Sequence, residues 1–262
     1  MGGLHLDFEM WDRFASENSS RIFSLYDGSM SLSASAASFT RLAPITLTVQ
    51  GVLFDMDGIL ISSLGSVERC WTRWAVLRGI DPALAIKTAH GCRSIETVAK
   101  LRPDLIAADE HKIVEDMEVE DTEGLHVLPG VTALLAALPL NRWTVVTSAT
   151  ERLARARLAA GGIPVPERIV TAEMVKRGKP FADPYLKGAE LLGFAPANCL
   201  VLEDAASGAK SGHAAGCKVV ATTFSHSIKS LAAADYLIET LKDMTLTVAK
   251  DGLKFSFAPI VR

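Results

Sequence analysis

The chain has 262 residues, 49% of them apolar, with 27 basic and 30 acidic side chains for a net charge of −3. That length allows one large domain, or one domain with a smaller insert, around a sizeable core. A near-neutral balance without a Lys/Arg-rich run argues against nucleic acid as a partner, and no apolar run reaches the roughly 18–20 residues of a membrane span.

Residues 1–43 differ from the rest. Residues 1–28 mix acids, aromatics and Ser without a clear period, and the following SMSLSASAASFTRLAP is rich in Ser and Ala. Asp7, Glu9, Asp12 and Glu17, with no apolar stretch beside them, argue against a signal peptide. Read from Met30, the Ser-rich stretch weakly resembles a transit peptide or marks a start placed too far upstream. The simpler expectation is an extension that is poorly ordered or loosely packed.

Beyond it, short apolar runs recur: VQGVLF, RWTVVT, RIVTA, NCLVLED, KVVATTF and DYLIE. Helical patterns separate them, such as ERLARARLAAGG with Gly161-Gly162 as its stop, and DPYLKGAELLGF stopped near Gly193. This alternation predicts an α/β fold: a Rossmann-like parallel sheet with helices on both faces, spanning 44–63 and 126–250, with 251–262 as a tail. Residues 64–125 break the rhythm with VERCWTRWAVLRG, SIETVAKL and EHKIVEDMEVEDTEG, an all-helical insert. Its acid-rich end (Glu115, Asp116, Glu118, Glu120, Asp121, Glu123) reads as a solvated helix face. Cys70, Cys92, Cys199 and Cys217 are widely spaced, which argues against a zinc site or a disulfide framework and suits reduced thiols in a cytoplasm.

The stretch GVLFDMDGIL delivers two carboxylates from the first core strand. In extended backbone Asp55 and Asp57 share one side and Met56 takes the other. Like charges so placed resist ionising together, so a divalent cation or two distinct chemical roles would have to offset them. The plain alternative is an Asp-Gly turn after an ordinary strand. Thr147-Ser148 and Glu203-Asp204 also fall at strand ends, where ligands of parallel sheets bind. Ser148 fits a donor to a phosphoryl oxygen or a turn residue. Lys179 in RGKPFADPY fits an anion partner or a surface charge, and Glu203-Asp204 a metal site or a helix cap.

Taken in order at one sheet edge, DxDG, a hydroxyl, a Lys and an acid pair resemble the haloacid-dehalogenase-like phosphohydrolase superfamily over residues 45–245. AHGCRSIETVAKL, TVVTSAT, RGKPFADPYLKGAELLG and EDAASGAKSGHAAGCKVV are similar to its 2-deoxyglucose-6-phosphate and glycerol-phosphate phosphatases. So is ILISS, which lacks the acid many relatives carry near Ser62. Ile59 and Phe181-Ala182 depart from the usual pattern.

The resemblance implies a Mg²⁺-dependent phosphatase that hydrolyses a small sugar or polyol phosphate through an aspartyl-phosphate. Asp55 would be the nucleophile and Asp57 the general acid and base. Mg²⁺ would bind the Asp55 and Asp204 carboxylates and the Asp57 backbone carbonyl, with Glu203 acting through water. Lys179 would offset the negative charge, and Ser148 with the Ala149 amide would hold phosphoryl oxygens. The insert would be a mobile cap whose His90 and Arg93 reach the substrate, unless Arg93 is a helix-terminal surface charge. The alternatives are a β-phosphoglucomutase-like sugar phosphomutase and a catalytically silent phosphate-binding protein. The expected partner is a small phosphorylated sugar or polyol, bound by a monomer or weak dimer.

Overall fold

The computed structural model describes residues 39–261. The loosely packed extension, the transit-peptide likeness and a start at Met30 concern residues 1–38 and lie outside the described residues. Residues 39–43, assigned to the same extension, are tied down: Arg41 bridges Ile260, and the Leu42 amide donates to the Pro259 carbonyl at 2.7 Å.

In chain order the elements begin with β1 (Ile45–Val49), β2 (Gly51–Phe54) and β3 (Ile61–Ser62), then α1 (Leu64–Leu77), α2 (Pro82–Ala89), α3 (Ser94–Leu101) and α4 (Ala107–Glu120). They continue with β4 (His126–Val127), α5 (Val131–Ala137), β5 (Trp143–Val145), α6 (Glu151–Ala160) and α7 (Asp183–Leu192). The chain closes with β6 (Cys199–Glu203), α8 (Ala206–Ala214), β7 (Lys218–Thr222), β8 (Tyr236–Ile238), β9 (Thr245–Ala249) and β10 (Gly252–Phe257).

GVLF and CLVLE are unbroken buried runs, the pattern of strands covered on both faces. They lie side by side as β2 and β6 in a five-stranded parallel sheet of order β5-β2-β6-β7-β8. Val52 and Phe54 enter the hydrophobic core on one face, while Leu53 enters the other with Tyr185 and Val201. RIVTA does not supply a full strand; Val170 makes a single parallel bridge to Val146 beside β5. Helix α6 starts at Thr150, whose Oγ1 accepts from the Leu153 amide at 3.2 Å, a cap worth about 1 kcal/mol. Gly161-Gly162 and Gly193 stop α6 and α7 as the sequence pattern requires.

The segment expected as a tail from residue 251 is built into the fold over its described residues, 251–261. GLKFSF forms β10, the middle strand of an antiparallel sheet ordered β1-β10-β9. Its alternation puts Leu253, Phe255 and Phe257 into the core and leaves Lys254 and Ser256 outside.

Helices α1 to α4 pack as an all-helical unit between β3 and β4, which pair antiparallel beneath it. The unit has its own small core of Trp71, Trp74, Ala75, Ala85, Val98 and Val114, with the two Trp rings edge to face at 5.4 Å. Helix α2 is opened by Asp81, which accepts from the Ala83 amide at 3.0 Å, with Pro82 just inside. The acid-rich end is not the solvated face expected of it. Glu118 is buried, Glu115 and Asp116 pair with Arg152 of α6, and Asp121 pairs with Arg69; Glu120 and Glu123 alone of the six are exposed. No described helix is long and apolar enough to cross a membrane.

Candidate active site

The carboxyl ends of β2, β5 and β6 converge beneath the helical unit. Asp55 follows β2 directly and extends its pairing, the Asp55 amide donating to the Leu202 carbonyl at 2.9 Å. Met56 is sunk in the core while Asp55 and Asp57 both face a cavity of about 100 Å³. The same cavity receives Ser148 from beyond β5, Asp204 from beyond β6, and His90 and Glu118 from the helical unit.

Lys179 binds the carboxylates together. Its Nζ lies 2.8 Å from Asp55 Oδ1 and 2.7 Å from Glu203 Oε1, and the residue is 4% exposed. Burial works against the charged amine, but Asp55 and Glu203 outweigh it and hold the Lys179 pKa above its ordinary value. Asp55 is pushed up to about 7, by burial first and the Glu203 charge second, against the pull of Lys179. Burial, Glu203 and Asp55 likewise raise Asp204 well above the usual carboxylate range.

Carboxylate oxygens of Asp55, Glu203 and Asp204 lie within 4.8 Å of one another, a donor set of hard oxygens that fits Mg²⁺. Glu203 is the most occupied of the three. Its Oε1 accepts from Lys179 Nζ and from Tyr185 OH at 2.8 Å, and its Oε2 accepts from the Asp204 and Ala205 amides at 2.9 and 3.0 Å. Four donors fill a carboxylate. A Cβ on Gly208 would stand 1.5 Å from Glu203 Oε1, so only glycine lets α8 pass this close. Asp55 and Asp204 are therefore the two carboxylates with lone pairs to offer an ion. Asp204 also accepts from Ser225 Oγ, whose loop follows β7.

Asp57 is tethered on one side only. Its Oδ2 accepts from Arg157 Nη1 at 2.9 Å, while Oδ1 is buried with no hydrogen-bond partner. Ser148 Oγ and His90 Nε2 are also buried without partners. Orphaned polar atoms lining one cavity are the mark of a site that a polar ligand completes. Burial lowers the His90 pKa, so a neutral ring is favoured there. The Ala149 amide, expected to hold a phosphoryl oxygen, donates to Thr147 Oγ1 at 3.1 Å.

Arg93 does not line the cavity. It pairs with Glu96 and crosses to the core, donating to the Ala172, Val175 and Lys176 carbonyls at 3.4 Å each. It clasps the helical unit to the loop before Gly178. Ile59 is buried in the main core, and Phe181 stacks with Arg177 at 4.7 Å, so neither departure from the family pattern touches the cavity. Arg157, Glu118, Ser225 and His226 line the cavity and were not singled out from the sequence. Phase was the available signal: Leu153, Ala154, Arg157 and Leu158 share the buried face of α6, as Glu110, Val114 and Glu118 share that of α4.

Residues 49–216 match the haloacid dehalogenase-like hydrolase family. The chain is 42% identical over 210 residues to hexitol phosphatase A of Escherichia coli, covering 78% of this chain and 96% of that protein. It is 36% identical over 196 residues to glycerol-1-phosphate phosphohydrolase 2 of Saccharomyces cerevisiae, covering 69% and 78% of the two chains. In fold it is similar to CbbY from Rhodobacter sphaeroides, solved in complex with phosphate, at a TM-score of 0.64 and 21% identity over 74% of this chain and 96% of that one. Carboxylates at the strand ends, a helical insert above them and these matches together establish that the chain belongs to the haloacid dehalogenase-like hydrolase family.

Proposed function

We propose that this phosphatase of the haloacid dehalogenase-like family hydrolyses a small sugar or polyol phosphate in a cytoplasm, through a phosphorylated Asp55. The observation that carries the reading is the pairing of Lys179 with Asp55 and Glu203, beside a cavity lined by Asp57, one of whose carboxylate oxygens is buried without a partner. The names of the two curated relatives, a hexitol phosphatase and a glycerol-1-phosphate phosphohydrolase, support the substrate class.

Asp55 Oδ1 is held by Lys179, which fixes the carboxylate and supplies positive charge as the phosphoryl group approaches. Asp55 attacks phosphorus, the bond to the leaving oxygen breaks, and the phosphoryl group rests on Asp55. Asp57 gives the leaving oxygen a proton through Oδ1, then takes one from the water that cleaves the acyl phosphate. Ser148 Oγ, free of internal partners, donates to a phosphoryl oxygen. Asp55, Asp204 and the Asp57 backbone carbonyl would hold Mg²⁺, which when bound neutralises phosphoryl charge and makes Asp55 ionise more readily. Glu203 keeps Lys179 and the turn after β6 in place. Helices α1 to α4 close over the reaction and exclude bulk water.

The test is phosphate release from a panel of sugar and polyol phosphates with and without Mg²⁺. Mg²⁺-dependent release is expected. An isomerised sugar phosphate in place of inorganic phosphate would indicate a mutase, and no turnover on any member a silent binding protein.

A further inference from the structure

Arg157 is the one guanidinium among the described residues lining the cavity, and it is 3% exposed. It belongs to core helix α6, yet its two outer nitrogens go to different parts of the fold. Nη1 donates to Asp57 Oδ2 at 2.9 Å, and Nη2 donates to Glu118 Oε1 of α4 at 3.3 Å. Both partners depend on it. Glu118 is 5% exposed with its pKa raised, by burial above all, and Asp57 has no partner on Oδ1. Glu115, Asp121 and Cys70 are further titratable groups that act on this cluster: Glu115 is paired with Arg152, Asp121 with Arg69, and burial keeps the Cys70 thiol protonated by pushing it up to about 12.

A guanidinium is a planar fork that grips a carboxylate through both oxygens whenever both tines are free. Here Glu118 occupies the second tine. Asp57 is therefore gripped by one oxygen, and the other is left for the leaving group. Without Glu118, Nη2 is free to take Asp57 Oδ1 as well and turn it out of use. Since Glu118 rides on the helical unit and Asp57 on the core, the arrangement makes the aim of Asp57 depend on that unit being docked.

We propose that Arg157 is a positioning residue, and that Glu118, by competing for its second tine, keeps Asp57 Oδ1 turned toward the substrate only when the helical unit is closed. The inference rests on Asp57 being the proton donor to the leaving oxygen. It adds a route by which closure switches that donor on.

The experiment compares kcat on a polyol phosphate, whose alkoxide leaves only with a proton, and on p-nitrophenyl phosphate, whose phenolate leaves without one. The ratio of the two kcat values from one preparation is independent of how much protein is folded. Asp57→Asn should lower that ratio by about 10²–10⁴-fold, the usual worth of a placed general acid. Glu118→Met, which removes the acceptor on Nη2, should lower it by about tenfold with KM little changed, and Arg157→Met should lower it too. In the Arg157→Met or Asp57→Asn background, Glu118→Met should have no further effect. A Glu118 effect that persists in those backgrounds would mean direct contact with substrate and would overturn the inference, as would equal losses on both substrates. If Asp57→Asn itself leaves the ratio unchanged, the reading of Asp57 fails, and the inference with it.

Discussion

Gly58 and Asp204 interlock: a Cβ on Gly58 would fall 1.8 Å from Asp204 Oδ2, and Gly58 has a φ of +79°. The glycine of the first motif thus makes room for the acid of the last, joining the loops after β2 and β6. The left-handed backbone alone would cost an alanine here roughly 1–2 kcal/mol. Gly58→Ala should lower the melting temperature and displace Asp204, so that Mg²⁺ no longer raises the melting temperature of the variant. A variant that melts like the parent and gains the same increment with Mg²⁺ would contradict this packing.

Lys179 is the sole charge offset seen for Asp55 and Glu203 among the described residues. Lys179→Met should abolish turnover and cost stability on the scale of a broken buried pair, about 3–5 kcal/mol. The loss should be larger at pH 8 than at pH 5.5, because the stranded carboxylates can be relieved by protonation. Urea denaturation at the two pH values measures it; an equal loss at both would place the stabilisation elsewhere.

The raised Asp55 pKa fixes the direction of a pH effect. In the metal-free protein folded Asp55 holds its proton up to about 7, above the ordinary value of 3.8. Between those values the folded state binds more protons than the unfolded one, so this group's contribution is full at low pH and is lost as pH rises through about 7. Mg²⁺ held by Asp55 would select the ionised form and release that proton. The melting increment given by Mg²⁺ should therefore grow between pH 5 and pH 8, and Asp55→Asn should flatten the trend. Thermal melts across that range decide it.

Arg93 clasps the helical unit to core carbonyls outside the cavity, so it should not choose among substrates. Arg93→Ala should change kcat/KM by a similar factor for every sugar and polyol phosphate tested. A loss confined to one substrate would return Arg93 to the binding surface.

The first motif was legible because a strand alternates: Met56 had to go inward if Asp55 and Asp57 went to the ligand side. Lys179 and Asp204 were legible by their place after turn and strand signals. The helical unit showed itself by the missing strands of residues 64–125. What was missed follows from weighing charge above phase. Glu118 looked solvated because acids crowd around it, although it repeats at four-residue steps with Glu110 and Val114 on the buried face of α4. Arg157 sits in phase with Leu153, Ala154 and Leu158. Strand β10 was hidden by position alone, since the alternation of GLKFSF is as clear as that of any core-facing edge. No local pattern could show that Arg93 reaches carbonyls about 80 residues away, because that contact is made only by the fold.

The proposed phosphoryl transfer to Asp55 can be tested directly. Enzyme quenched in acid during turnover of a polyol phosphate with Mg²⁺ should yield, by mass spectrometry, a phosphoryl adduct on the peptide carrying Asp55. Asp55→Asn should give neither adduct nor turnover. Steady turnover with no adduct at that peptide, together with an Asp55→Asn variant that still releases phosphate, would contradict it.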